Sequence, residues 1–163
     1  MTINAINTKN PVMQFVYTST ATWSSSDSII PWDDTIPQKA EGTELFTLAI
    51  TPRSATSLLE INAYVPVYLN DINDAYTIAL FQDAADNALS AGQFLGCYNN
   101  GNVGMMHYMQ LKHLMVSGTT SATTFKIRLG CNAASLIYVN GNNASRIYGG
   151  VQQAIFMIKE IYQ

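Results

Sequence analysis

Charged residues are scarce in this 163-residue chain, at 12% of the total, about half the share usual in soluble proteins. Lys and Arg form no cluster, which argues against nucleic-acid binding. The apolar runs are too short and interrupted for a membrane-spanning helix. The start, MTINAINTKN, lacks the basic and apolar regions of a secretory signal. Surface charge normally protects sheet proteins from edge-to-edge association, so its scarcity predicts that self-association covers part of this surface.

Cysteine and histidine are equally sparse, with two of each. Nothing brings Cys97 and Cys131 into disulfide range, and both are interpreted as small buried apolar residues. His107 and His113 lie six residues apart on one strand, roughly 20 Å from each other, so they cannot share a metal ion within one chain. Three copies of one histidine could bind an ion at a threefold axis; the alternative is a hydrogen-bonded interface histidine.

Catalytic and cofactor motifs are absent as well. No GxSxG, GxGxxG or P-loop pattern occurs. The adjacent carboxylates of Asp33 and Asp34 point apart in an extended segment, unlike a glycosidase pair. The other acidic group lacks the glycine and the ligand spacing of a calcium loop; it comprises Asp71, Asp74, Asp83 and Asp86 with Asn73. We expect no enzyme, no catalytic residue, no cofactor and no metal site.

Alternation of apolar and polar residues recurs along the chain and predicts β-strands. It is clear in Phe46–Ile50, Leu59–Val67, Ala75–Phe81, Phe125–Leu129 and the terminal Val151–Tyr162. Pro66 suggests an edge strand or a bulge, and the long apolar run at Val151–Tyr162 suggests a central strand. Asn100-Gly101 and Asn140-Gly141 are typical of type I′ hairpin turns. The pattern predicts an all-β jelly-roll sandwich of nine or ten antiparallel strands, with an N-terminal arm at residues 1–12 and one domain at 13–163.

The strand Met105–Val116 is apolar on both faces. One face of a sandwich strand meets the core, so a second apolar face predicts contact with a neighbouring subunit. The predicted interface consists of Met105, His107, Met109, Leu111, His113 and Met115, together with Trp32 and Tyr148.

Aromatic and amide residues crowd two predicted hairpins and are candidates for receptor binding. They offer contact area and neutral hydrogen bonds suited to sugars or a protein epitope. The candidates are Tyr98, Asn99, Asn100 and Asn102 in one hairpin and Tyr138, Asn140, Asn142, Asn143 and Arg146 in the other. The alternative is that these are ordinary turns with nearby core tyrosines.

Six segments in fixed order resemble C-terminal head domains of bacteriophage tail-fibre and receptor-binding proteins. They are IIPWDDTIPQKAEGTEL, FTLAITPRSATSLLEI, ALFQDAADNALSAG, LKHLMVSGTTSATTFKIRLG, VNGNNASRIYGG and IKEI, within residues 28–162. The resemblance implies a jelly roll similar to tumour necrosis factor and the complement globular head, assembled as a homotrimer at a fibre tip. Residues 93–110 depart from the pattern, so no receptor site is carried over.

The resemblance implies attachment of a virion to a host surface glycan or outer-membrane protein. The expected partners are further copies of the chain, the receptor and an upstream fibre shaft or other virion protein, with no nucleic acid and no membrane insertion. The resemblance also implies that the protein is assembled in the host cytoplasm and becomes part of the virion. A purely structural virion protein (head fibre, capsid decoration or baseplate) is the alternative, and a glycan depolymerase is a third possibility.

The segment around Trp32 has its own prediction. Pro31 and Pro37 stiffen it, and Trp32 provides a large anchor at a sheet edge or a subunit boundary. Asp33 and Asp34 either cap turns or pair with a basic residue such as Arg128 or Arg146.

Overall fold

The computed structural model describes residues 12–70, 74–95, 104–133 and 135–162. These residues form ten strands: β1 (Val12–Thr20), β2 (Ser24–Ser26), β3 (Thr43–Ile50), β4 (Leu58–Leu69), β5 (Ala75–Gln82), β6 (Ser90–Leu95), β7 (Met105–Val116), β8 (Thr123–Cys131), β9 (Ile137–Val139) and β10 (Ala154–Ile161). A short 3-10 turn spans Tyr148–Gly150. The described residues contain no helix long and apolar enough to span a membrane. Residues 1–11 of the predicted arm (1–12) lie outside the described residues, and Val12 belongs to β1.

The strands form two antiparallel sheets. In the larger, six-stranded sheet β4 is central, and β7 pairs along the whole of one side of it. On the other side β10 pairs with the first part of β4 and β9 with the last part. β1 then pairs with β10, and β2 pairs with β9. The smaller sheet has the order β3-β8-β5-β6. The chain crosses between the sheets after β2, β3, β4, β6, β7 and β8, which gives the jelly-roll sandwich that the sequence predicts.

Pro66 lies inside central strand β4, so the prediction of an edge strand or bulge is wrong. β10 pairs with β4 as far as Tyr64, and β9 pairs from Val67 onward. The Pro66 carbonyl accepts the N–H of Asn140 and so faces this side. Because the N and C=O of one strand residue point the same way, the missing N–H of Pro66 falls in the gap between β10 and β9.

The core lies between the two sheets and is built from alternate residues of each strand. β4 contributes Leu59, Ile61, Ala63, Val65 and Val67, all with no exposed surface. Phe46 of the smaller sheet stacks on Phe156 of the larger sheet, with ring centroids 6.0 Å apart. The predicted central position of the terminal strand is confirmed, since β10 lies between β1 and β4.

Two carboxylates fix the connections at one end of the sandwich. Oε1 of the buried Glu160 accepts the backbone N–H groups of Arg53 and Ser54 at 2.7 and 3.2 Å. Asp83 accepts the N–H of Thr124 at 2.7 Å and the hydroxyl of Thr123 at 2.9 Å. These contacts join TPRSATS to IKEI, and FQD to TTF, which are parts of the segments that carry the family resemblance. In this chain those residues hold loops in place.

The proline-rich segment lies across the outer face of the smaller sheet. Ile30 is buried against Ala79 and Phe81, whose side chains point outward from β5. Pro37 accepts the N–H of Ala88 at 2.9 Å and so joins the segment to the β5–β6 turn. This segment therefore shields one outer face of the sandwich from water.

Asp33, the first residue of the acidic pair, has the turn-capping role that the sequence offered as one alternative. Asp33 accepts the N–H of Thr35 at 2.8 Å and its hydroxyl at 2.6 Å. Arg128 instead donates to the carbonyls of Glu41 and Gly42 at 2.7 and 2.8 Å. Turn capping by Asp33 is confirmed, and the guanidinium of Arg128 serves the backbone that follows.

Candidate functional site

The two ends of the sandwich carry different structures. Val12 pairs with Ile161, Ile161 with Leu58 and Leu58 with Val116, so β1 starts at the end formed by residues 51–57 and 117–122. β9 runs from its pair with Leu69 back to its pair with Val67, and β10 resumes where Ile155 pairs with Tyr64. The connection 140–153 therefore leaves the sheet beside Pro66, roughly 26 Å along β4 from Leu58. We name the part of the sandwich from Tyr64 of β4 onward, which carries residues 140–153, the far end.

A hairpin at the far end begins and ends at the bridged pair Gly141 and Arg146. Oδ1 of Asn142 accepts the N–H groups of Ala144 and Ser145, both at 2.9 Å, and the Asn142 N–H donates to the Ser145 carbonyl. The turn is therefore built at residues 142–145, not at Asn140-Gly141 as the sequence predicts. Asn142 uses its side chain to form the turn.

Asn140 and Tyr138 are buried, so the prediction that they contact a receptor is wrong. Asn140 has no exposed surface, and its amide donates to the carbonyls of Thr20 and Thr22 at 2.9 and 3.0 Å. This bond pair ties the β1–β2 connection to the far end. Tyr138 lies between the rings of Trp23 and Tyr68, at centroid distances of 6.1 and 6.0 Å.

Of the residues that the sequence predicted to function, Asn143, Arg146 and Tyr148 are exposed at the far end, where Ala144, Ser145 and Val151 are exposed as well. Tyr148, which the sequence assigned to the subunit interface, is 72% exposed and adopts a φ of 51°, rare for a residue with a Cβ. The other predicted receptor residues, Tyr98, Asn99, Asn100 and Asn102, lie outside the described residues.

Trp23 belongs to the far end and was missed by the sequence reasoning. Its indole N–H donates to the carbonyl of Asn142 at 2.9 Å. Its ring lies so close to Gly141 that any side chain there would collide with it. A lone Trp within the polar run TATWSSS is the signal that marks it.

The larger sheet exposes apolar side chains on its outer face, which no segment in the described ranges covers as residues 29–38 cover the smaller sheet. The register aligns Phe15 with Lys159, Glu60 and Leu114, and the next row aligns Tyr17 with Met157, Asn62 and Lys112. We name as the apolar face the exposed residues Phe15, Tyr17, Tyr64, Tyr108, Leu114 and Val116.

The side chains of β7 predicted to contact a neighbouring subunit point into the chain's own core. Met109 and Leu111 are buried there, and Met105, His107, His113 and Met115 lie half-buried on the same side of the strand. The even-numbered residues, among them Tyr108 and Leu114, point outward. The interface prediction therefore chose the wrong face, because both faces of β7 are apolar and sequence alone does not decide which turns inward.

Charged residues cross the middle of the apolar face. Glu60 accepts the amide of Asn62 and the ammonium of Lys112, each at 3.2 Å, and Lys159 pairs with Glu60 in the strand register. The bond from Asn62, and then that from Lys112, holds the pKa of Glu60 below its usual value.

The histidines also lie half-buried on the core side of β7. An ion shared by three copies at a threefold axis stays a prediction. The ring of His107 stacks on Phe94 with centroids 3.6 Å apart and closes the gap between β6 and β7. Partial burial lowers the pKa of both His107 and His113. Across the described ranges, no three His, Cys, Asp or Glu side chains come together to hold a metal ion. A cleft of about 350 Å³ beside this stack is lined by neutral residues.

Trp32 and Cys131 differ in burial. The Trp32 side chain is 53% exposed, and its backbone N–H donates to the side chain of Asn132 at 2.9 Å. The ring is therefore no anchor within one chain. Cys131 has no exposed surface, as predicted, and burial raises the pKa of its thiol to about 11. Cys97 lies outside the described residues.

No protein-family model matches the chain, and no curated protein matches it. Solved structures similar to it include dimeric latent PorU from Porphyromonas gingivalis, at TM-score 0.39 and 8% identity over 92% of this chain and 13% of that one. The infectious bursal disease virus Gt strain aligns at TM-score 0.37 and 13% identity, over 98% of this chain and 42% of that one. The enzymatically active domain of bacteriophage CBA120 tailspike protein 4 aligns at TM-score 0.29 and 12% identity, over 94% and 21%.

These neighbours therefore include a virus particle and a phage tailspike, and the chain spans less than half the length of each. At such low identities and TM-scores the alignments carry no function to this chain.

Proposed function

We propose that this domain is the head of a bacteriophage tail fibre, which assembles as a homotrimer and attaches the virion to a glycan or outer-membrane protein on the host surface. The main supporting observation is that the hairpin with the exposed residues leaves the sheet roughly 26 Å along β4 from the end at which β1 starts. An upstream shaft would join at β1, so the far end would point toward the host. The six ordered sequence segments that resemble tail-fibre head domains support the choice of family.

The apolar face supports self-association. Its four aromatic side chains, Phe15, Tyr17, Tyr64 and Tyr108, are about half exposed. Together they present on the order of 400 Å² of ring surface, which Glu60, Lys112 and Lys159 divide. The proline-rich segment shields the other sheet, so copies of the chain are the economical cover for this one. Three copies around an axis form a closed assembly, in which no apolar face is left over.

Binding of labelled protein to host cells tests the attachment function. We expect saturable binding that the double change Asn143→Ala, Tyr148→Ala abolishes without altering the mass of the assembly. The matched control is Thr120→Ala, an exposed residue at the opposite end, which should bind like the wild type. A second double change, Tyr98→Ala with Asn100→Ala, tests the segment between β6 and β7.

Three outcomes would count against the proposal. Wild-type protein that assembles but binds no host cell favours the purely structural virion role. Retained binding by both double variants places the receptor site elsewhere on the domain. Release of reducing ends from host polysaccharide favours a depolymerase, for which the described residues offer no carboxylate pair across a cleft.

A further inference from the structure

Arg146 differs from most other basic residues because its charge is unmatched. Among the described residues, no acidic group and no hydrogen-bond acceptor contacts its guanidinium. In contrast, four other basic residues form ion pairs: Lys39, Lys112, Lys126 and Arg128. The stretch 132–153 contains no Asp or Glu at all. The hairpin therefore carries a localised positive charge on a chain whose net charge is −3.

The guanidinium of Arg146 rests against backbone. A Cβ built on Gly150 would lie 2.7 Å from Nη1 and 3.1 Å from Cζ, so the guanidinium packs directly on this glycine. Gly150 also adopts a φ of 90°, which favours glycine. The guanidinium therefore lies against the glycine that ends the 3-10 turn.

Aromatic and amide groups belong to the same part of the far end. Tyr148 lies two residues from Arg146, is largely exposed and keeps a strained positive φ. Trp23 packs on Gly141, directly across the hairpin from Arg146. Asn143 is exposed at the turn between them. A planar cation beside rings and a neutral amide suits a ligand with one anionic group on a hydroxyl-rich body.

We propose that Arg146 binds the carboxylate or phosphate group of an anionic surface saccharide, with Tyr148 and Asn143 contacting the sugar ring and its hydroxyls. This inference rests on the proposed attachment function and names its ligand class. The planar guanidinium donates two parallel hydrogen bonds to either anion. A neutral saccharide would leave the guanidinium without a matched partner.

Trp fluorescence provides the assay. The chain has two Trp residues, so the Trp32→Phe background leaves Trp23, beside the hairpin, as the sole reporter. Three groups of ligands are titrated. Galacturonate oligomers test a carboxylate ligand, and mannose 6-phosphate tests a phosphate ligand. Galactose oligomers and mannose are their respective neutral counterparts. We expect binding in at least one anionic arm, weaker binding of its neutral counterpart, and loss of affinity as salt is added.

Substitution of Arg146 tests the role of the guanidinium. Arg146→Gln should weaken anionic-saccharide binding about tenfold or more, since it removes a charge-assisted contact. Arg146→Lys should weaken it less, because it keeps the charge and loses the two-point geometry. The matched control is Arg53→Gln, which removes an exposed arginine at the opposite end and should leave affinity unchanged.

The outcomes separate this inference from the attachment function. Equal binding of anionic and neutral sugars, or unchanged affinity in Arg146→Gln, overturns the inference. Host-cell binding with no saccharide binding in any arm overturns it too, leaves the attachment function standing, and indicates a protein receptor. Anionic-saccharide binding that depends on Arg146, without binding to host cells, supports the ligand chemistry and overturns attachment.

Discussion

Replacing the buried Glu160 by Ala should destabilise the fold by about 3 kcal/mol. The carboxylate oxygen Oε1 accepts the N–H groups of Arg53 and Ser54, and the hydroxyl of Ser57 lies 2.7 Å from the same oxygen. In the Ala variant the hydroxyl can still donate to the Ser54 carbonyl, 2.8 Å away. The two N–H groups lose their acceptor, and each such loss costs roughly 1–3 kcal/mol in a buried site.

Urea denaturation followed by Trp fluorescence measures this change, at one protein concentration because association raises the apparent stability. Glu160→Gln should have an intermediate effect, because its amide oxygen can still accept the N–H groups of Arg53 and Ser54. Its NH₂ group takes the place of Oε2, which has no hydrogen-bond partner in the described part of the chain. Glu44→Ala is the matched control: its exposed pair with Lys126 should contribute less than about 1 kcal/mol. A Glu160→Ala variant as stable as the control would refute the assigned role of the carboxylate.

Three further predictions concern the assembly and its pH dependence. Leu114→Glu places a charge on the apolar face and should reduce the assembly to single folded chains, whereas an unchanged mass would exclude this face. Burial lowers the pKa of His107 and His113, so below about pH 6.5 the unfolded chain binds more protons than the folded chain, and stability should fall as the pH drops. The double Gln variant should flatten that fall in the urea midpoints. Trp32→Ala should lower the melting temperature of the assembly, and an unchanged melting profile would remove Trp32 from any interface.

Much of the fold could be predicted from sequence because long strands carry a readable alternation. The bounds of β7 match the predicted strand Met105–Val116, and β10 is central as its apolar run indicates. The three-residue strands β2 and β9 are too short for any periodic pattern. The prediction from Pro66 was wrong because the rule that keeps proline out of central strands assumes an unbroken neighbouring strand on each side. Here two strands share one side of β4, and Pro66 lies at the gap between them.

The candidate site was harder to predict because it depends on which way side chains point. Alternation fixes two faces of a strand but leaves open which one turns inward when both are apolar, as in β7. Asn140 looks like an exposed turn residue, yet tertiary contacts bury its amide beneath the β1–β2 connection. Arg146 was found from sequence, while its contact with Gly150 and its lack of a charged partner in the described ranges are tertiary features.

The account depends most on the apolar face being covered by further copies of the chain. Sedimentation equilibrium of the purified protein at micromolar concentration tests this directly. Three copies of the 17.9 kDa chain predict a particle of about 54 kDa. A stable, folded particle of 17.9 kDa would contradict the account.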